Sequence, residues 1–283
     1  FGKLMNEQRE RARRAREEGI GDVSWKDDVL ASLDHKTAFC GYAAGECKTR
    51  IAAIVADGAL ADGLGEGDSA ALVLDSTPFY AESGGQVGDV GAITDGQSVF
   101  EVYDCKKSPT GQFLHLGRMQ KGSLLTGSEV TATVLRPRRQ SIMRNHTAAH
   151  LLQYALREVL GSHVHQAGQL VDADCCRFDF THFAAVTSDE LMKIEMLVNS
   201  LILDCLPVTV SEMSQDEAKA KGAMALFSEK YGDVVRVVDI GGRSIELCGG
   251  THVDNTSKLG LFKILRESSV AAGVRRIEAV TGQ

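Results

Sequence analysis

Residues Ser141-Ile142-Met143-Arg144-Asn145-His146-Thr147-Ala148-Ala149-His150-Leu151-Leu152, running on to Leu160, set the reading of the whole chain. Apolar residues recur at Ile142, Ala149, Leu152, Leu156 and Val159, close to a 3.6 period, and Gly161 follows as a stop. The spacing predicts a helix over 141–160. Residues four apart on a helix share a face, so His146 and His150 point the same way, one turn apart, and can reach one cation. A metalloprotease helix with this spacing carries a glutamate directly after the first histidine as its base. Here that position is Thr147, which argues against peptide hydrolysis of that type.

A second pair, Cys248 and His252, is separated by Gly249-Gly250-Thr251. The glycines disfavour a helix and predict a tight turn that aims a thiolate and an imidazole at a common point. Three histidines and one cysteine suit a tetrahedral zinc ion. Either motif by itself is more often a pair of ordinary surface side chains; both together, each beside apolar segments, carry the metal reading.

Composition bounds the rest. The 283 residues allow roughly two domains. At 43% hydrophobic and 24% charged the chain reads as a soluble globular protein. No apolar run reaches the roughly 20 residues of a membrane span, and no signal peptide is visible. The seven cysteines are scattered, which argues for a reducing, cytoplasmic setting rather than a disulfide framework. A net charge of −7 counts against nucleic acid as a partner without excluding local basic patches. Candidate patches are Arg136, Arg138 and Arg139, then Arg275 and Arg276, then Arg9 to Arg16.

Residues 3–18 are strong helix formers with little apolar face and predict a helical linker, 1–35, from an absent upstream domain. The chain opens on Phe1, which suggests a piece of something longer. Trp25 to Leu33 suggests a short helix. From about 36 to 135, short apolar runs alternate with Gly, Asp and Ser turns at 51–55, 69–74, 99–103, 112–116 and 129–134, the pattern of a small all-β barrel. Gly63 to Gly67 lacks the lysine and following helix of a phosphate loop and reads as a turn. Pro137 is taken to interrupt regular structure and mark the boundary.

Residues 136–283 predict an α+β domain, with helices packed on a mostly antiparallel sheet. Strands are expected at 166–171, 176–180, 208–212, 234–240, 243–247, 261–267 and 277–280. An amphipathic helix is expected at 188–203, with Ser188 at its start and Leu191, Ile194, Met196, Leu197, Val198, Leu201 and Ile202 on its apolar face. A shorter one is expected over 214–221.

Several stretches together resemble the editing domain of the alanyl-tRNA synthetase family. They are Arg144 to Leu152, Val164-His165-Gln166-Ala167-Gly168, Arg177-Phe178-Asp179-Phe180, Ile245 to Val253, and Gly273 to Ala279. The resemblance implies one zinc ion per chain on His146, His150, Cys248 and His252. It implies hydrolysis of the ester of mischarged Ser-tRNA(Ala) and Gly-tRNA(Ala), within a parent enzyme that joins alanine to tRNA(Ala) with ATP. It also implies the acceptor end of tRNA(Ala) as partner, with aminoacylation and tRNA-recognition domains upstream; no ATP site is visible in this chain. Gln166 and Thr147 are the candidate catalytic residues. Gln166 either positions substrate or water or faces solvent from a strand. Thr147 either meets the serine hydroxyl or bonds back to its own helical turn. Gly84, Gly85 and Gln86 either form a packed loop at the barrel edge or border the cleft and hold the acceptor end. Of Arg275 and Arg276, adjacent in a strand, at most one should face RNA phosphate. Glu246 and Asp179 are possible general bases, and His163, His165 and His182 are spare. The alternatives are a free-standing editing deacylase of the same family and a non-catalytic tRNA-binding module with structural zinc.

Overall fold

A computed structural model of the chain describes residues 27–31, 33, 35–224 and 232–282. The helix expected over 3–18, its arginines and Trp25 lie outside the described residues. Two compact units emerge: residues 1–81 with 88–135, and residues 82–87 with 136–283.

The first unit opens with a short helix, α1 (Asp27–Ala31), and then strands β1 (Ala38–Phe39), β2 (Glu46–Ala56), β3 (Ala59–Ala61), β4 (Gly63–Leu64), β5 (Ser69–Leu74), β6 (Ser76–Thr77), β7 (Gly91–Thr94), β8 (Val99–Lys107), β9 (Phe113–Lys121), β10 (Leu124–Leu125) and β11 (Glu129–Val134). The antiparallel order β11-β7-β8-β9-β5-β2 closes on itself because β11 also pairs with β2, giving a six-stranded barrel where the sequence predicts a small all-β barrel. Strand β5 shows why its sequence is apolar without alternation. Ala70, Leu72 and Leu74 face one core, and Ala71 and Val73 face another that α1 covers with Leu30. Gly63 to Gly67 holds the whole two-residue strand β4 followed by a turn, so the expected turn is confined to the second half of the stretch.

The second unit contains α2 (Arg136–Leu160), β12 (Gln166–Val171), β13 (Cys176–Thr181), α3 (Ser188–Leu203), β14 (Val208–Ser214), α4 (Gln215–Ala220), β15 (Val234–Ile240), β16 (Ser244–Leu247), a 3-10 turn (Thr256–Leu259), β17 (Lys263–Ala271) and β18 (Val274–Val280). It has two sheets, ordered β12-β13-β18-β17 and β14-β15-β16, all antiparallel. This is the α+β architecture expected. Strand β13 alternates cleanly: Cys176, Phe178 and Phe180 are buried, while Arg177, Asp179 and Thr181 are partly exposed. Burying each phenylalanine contributes about 1.5–3 kcal/mol.

Three local expectations need correction. Helix α2 starts at Arg136, not near Ser141, and Pro137 lies in its first turn, where a missing N–H costs no intrahelical bond. Helix α3 is capped by Thr187 rather than Ser188. Its side chain accepts from the Glu190 N–H, while the Glu190 carboxylate accepts from the Thr187 N–H, a reciprocal box contributing about 1 kcal/mol. Met196, placed on the apolar face of that helix, is 65% exposed. Among the described residues, no helix is long and apolar enough to cross a membrane.

Candidate metal centre

Helix α2 supplies half of the site. Residues Asn145 to Leu152 are buried without a break, because α3, β12, β13 and β16 surround this stretch. The helix stops where Gly161 takes φ 115° and the Arg157 guanidinium reaches the carbonyls of Ser162 and Val164. The turn after β16 supplies the other half. Arg236 of β15 pins it by donating to the carbonyls of Cys248 (2.7 Å) and Gly250 (2.9 Å).

The four side chains meet. One ligand atom from each of His146, His150, Cys248 and His252 lies within 4.8 Å of the others, and the group could hold a metal ion. Cys248 Sγ is 3.6 Å from His146 Nε2 and 3.3 Å from His252 Nε2. A zinc tetrahedron with nitrogen at about 2.0–2.1 Å and sulfur at about 2.3 Å has edges of about 3.3–3.6 Å, which the two Cys248 distances match. The Gly250 N–H also points at the Cys248 sulfur, at 3.4 Å.

Each imidazole has a polar neighbour behind it. His146 Nδ1 is 2.7 Å from Gln86 Oε1, and His252 Nδ1 is 3.1 Å from Thr147 Oγ1. His150 Nδ1 is 3.3 Å from Glu246 Oε2, close enough for an ion pair but not aligned as a hydrogen bond. The electrostatics follow. Burial opposes ionisation of Cys248, yet His146 and His252 hold its thiol well below the usual range. Burial would push His150 down, but Glu246 and Cys248 more than reverse it and raise the imidazole to about 9. Burial pushes His252 down to about 3 despite the neighbouring Cys248. Burial raises Glu246 against the pull of His150, and Ser244 Oγ donates to its other oxygen at 2.7 Å.

The other candidates separate. Gln86 is fully buried in the second unit, against His146. It is held there by two backbone bonds, Val87 N–H to Val171 O (3.1 Å) and Val171 N–H to Gly85 O (2.7 Å). Gly85 has φ 82°, and a Cβ there would strike the Gln169 backbone, so glycine is required for the loop to lie this close to β12. Gly84 is exposed. Gln166 is buried at the start of β12 opposite Phe180, and among the described residues no hydrogen bond joins it to the four ligands. Thr147 Oγ1 donates to Met143 O (2.8 Å), bonding back to its own turn, and accepts from Val253 N–H (3.2 Å). Arg275 and Arg276 each grip a carboxylate with two nitrogens, Glu267 on β17 and Asp179 on β13. His163 and His182 bond to each other at 3.0 Å, and neither belongs to the ligand set.

Residues 235–278, which span the Cys248–His252 turn, match the model of the threonyl and alanyl tRNA synthetase second additional domain, and residues 1–138 match that of class II (A) tRNA synthetases. The whole chain aligns with the alanine–tRNA ligases of Acetivibrio thermocellus (52% identical), Exiguobacterium sibiricum (52%) and Bacillus subtilis (48%). The chain belongs to the alanyl-tRNA synthetase family. It spans 32% of the length of each of these relatives. Within the family frame, the turn carrying Cys248 and His252 falls inside the second-additional-domain match, and Gln86 inside the class II match. Two family models thus cover parts of one buried site.

Proposed function

We propose that this part of an alanyl-tRNA synthetase carries an editing site that hydrolyses the ester of Ser-tRNA(Ala) and Gly-tRNA(Ala), with one zinc ion on His146, His150, Cys248 and His252. The observation that carries the reading is the convergence of these four donors within 4.8 Å. A pocket shaped for alanine cannot strongly reject one added hydroxyl or one missing methyl, so a second hydrolytic site clears the errors. When bound, zinc supplies a positive charge that orients the aminoacyl group and polarises its ester carbonyl.

The chain's own groups do the rest. Gln166 positions the substrate or the attacking water. Thr147 stands beside the first ligand, but its hydroxyl already donates once and accepts twice, so it meets a serine hydroxyl only by releasing a partner. Gly84 and Gly85 take the acceptor end. Gln86, buried, has its amide committed inside the site. Arg275 and Arg276 reach phosphate only by leaving Glu267 and Asp179. Asp179 and Glu246 are likewise engaged, which leaves neither free as general base. The reading carries with it tRNA(Ala), upstream domains of the same polypeptide that ligate alanine with ATP, and a cytoplasmic setting.

A second reading has one observation in its favour. Four protein ligands close a tetrahedron, as in structural zinc sites. A tRNA-binding module with structural zinc would bind tRNA(Ala) and leave the ester intact. Deacylation of Ser-tRNA(Ala) by the zinc-loaded chain, against a chelated control, separates the two. Hydrolysis that disappears with the metal supports editing; tight tRNA binding without hydrolysis overturns it.

A further inference from the structure

Gln86 lies sixty positions before His146 in the chain, and both ends of its amide are engaged at the metal centre. The Thr251 N–H, an unambiguous donor, points at one end of that amide at 2.9 Å. An acceptor must face a donor, so that end is the carbonyl, Oε1. The other end then donates to Thr251 Oγ1 at 3.0 Å. With the amide fixed, His146 Nδ1 faces a carbonyl oxygen at 2.7 Å and must carry a proton. The lone pair of His146 is therefore on Nε2, the nitrogen that faces the Cys248 sulfur.

We infer that Gln86 is a positioning residue of the metal centre. It locks His146 in the Nδ1–H tautomer, so that Nε2 is presented to the metal, and ties that ring to the backbone of the Cys248–His252 turn. Outer partners of this kind typically change metal affinity 10–100-fold when removed. Thr147 obeys the same logic for His252. Its hydroxyl donates to Met143 O, so its two lone pairs accept from Val253 N–H and from His252 Nδ1–H. The shape of the surroundings agrees. A side chain at Gly250 would collide with both the His146 ring and Gln86 Oε1, so the turn is built to admit this pair.

The inference rests on the zinc reading, and the experiment keeps the two apart. Zinc affinity of the full chain is measured by competition with a chromogenic chelator for the parent, Gln86→Leu and Gln86→Glu. The leucine variant should bind zinc roughly 10–100-fold more weakly. The glutamate variant keeps an acceptor for both N–H groups and should recover most of the loss. Long-range 1H–15N correlations of the imidazoles in the unmodified zinc-loaded protein should show the His146 proton on Nδ1, a readout that needs no variant to fold. A leucine variant that binds zinc as the parent does, or a His146 proton on Nε2, overturns the inference. Absence of stoichiometric zinc from the parent overturns the zinc reading itself.

Discussion

The backbone of Gly250 lies against the imidazole of His146, closer than any side-chain-bearing residue could come. A Cβ at 250 would overlap Cε1 and Nδ1 of that ring and press on Gln86 Oε1. Gly250→Ala should therefore push His146 out of position, weaken zinc binding at least tenfold and destabilise the protein by about 1–3 kcal/mol. Gly249 has open space around its Cβ position, so Gly249→Ala should stay within about 0.5 kcal/mol of the parent. Urea midpoints and chelator competition on the two variants test this contrast; equal effects would show that the close approach is unimportant.

Cys248 is the sulfur donor of the set. Cys248→Ala should leave three nitrogens and lower both zinc content and deacylation. Metal analysis after dialysis is the check, and full zinc occupancy with full activity would remove Cys248 from the centre.

Thr147→Val keeps the shape of the side chain but takes the acceptor away from Val253 N–H and His252 Nδ1. Leaving buried donors unsatisfied costs about 1–3 kcal/mol. Thr147→Ser should restore both stability and zinc affinity. A valine variant as stable and as zinc-competent as the serine variant would refute the bonding scheme.

Gln166→His should impair hydrolysis of Ser-tRNA(Ala) while zinc stays in place. If the metal is lost together with activity, Gln166 supports the fold rather than the substrate. The residue is buried and unconnected by hydrogen bonds to the ligands, which favours separable effects.

His115, inside the barrel, gives a pH dependence independent of the metal. Its Nδ1–H donates to Leu72 O (2.8 Å) and its Nε2 accepts from Thr77 Oγ1 (2.7 Å). Burial pushes this imidazole from 6.5 down to about 4. The folded state holds His115 neutral, whereas the unfolded chain takes up a proton as pH falls through 6.5. The stability that neutral His115 confers is complete above 6.5 and is lost by up to about 3 kcal/mol as pH drops towards 4. His115→Gln should flatten the fall in denaturation midpoint over that range. An NMR titration of the His115 ring centred near 6.5 would contradict the account.

Much of the site was legible because its signals are local. Residues four apart on a helix share a face, and Gly249-Gly250 marks a turn, so both halves of the ligand set could be read from short windows. The barrel was legible too, since β5 and β11 begin and end where turn residues bound their apolar runs. The outer partners were not. Gln86 was noticed only as part of a loop at the barrel edge or bordering the cleft; its neighbours on both sides build the barrel, and no window around it points to a histidine sixty positions later. Thr147 and Glu246 were noticed, but as possible reagents; their contacts with His252 and His150 depend on packing between α2 and β16. The one-sided apolar pattern read for α2 also understated its burial, because alanine, threonine and histidine are enclosed there as fully as leucine.

The grouping of residues 82–87 with the second unit makes that unit discontinuous in the chain. A laboratory dissection at the Leu135–Arg136 bond would retain all four donors in the C-terminal piece and yet leave out Gln86. Such a piece would assemble its cluster with one imidazole unmoored. A faithful minimal version must graft the Glu82–Val87 hexapeptide onto the remainder, for instance by a short bridge replacing the 48 intervening residues 88–135.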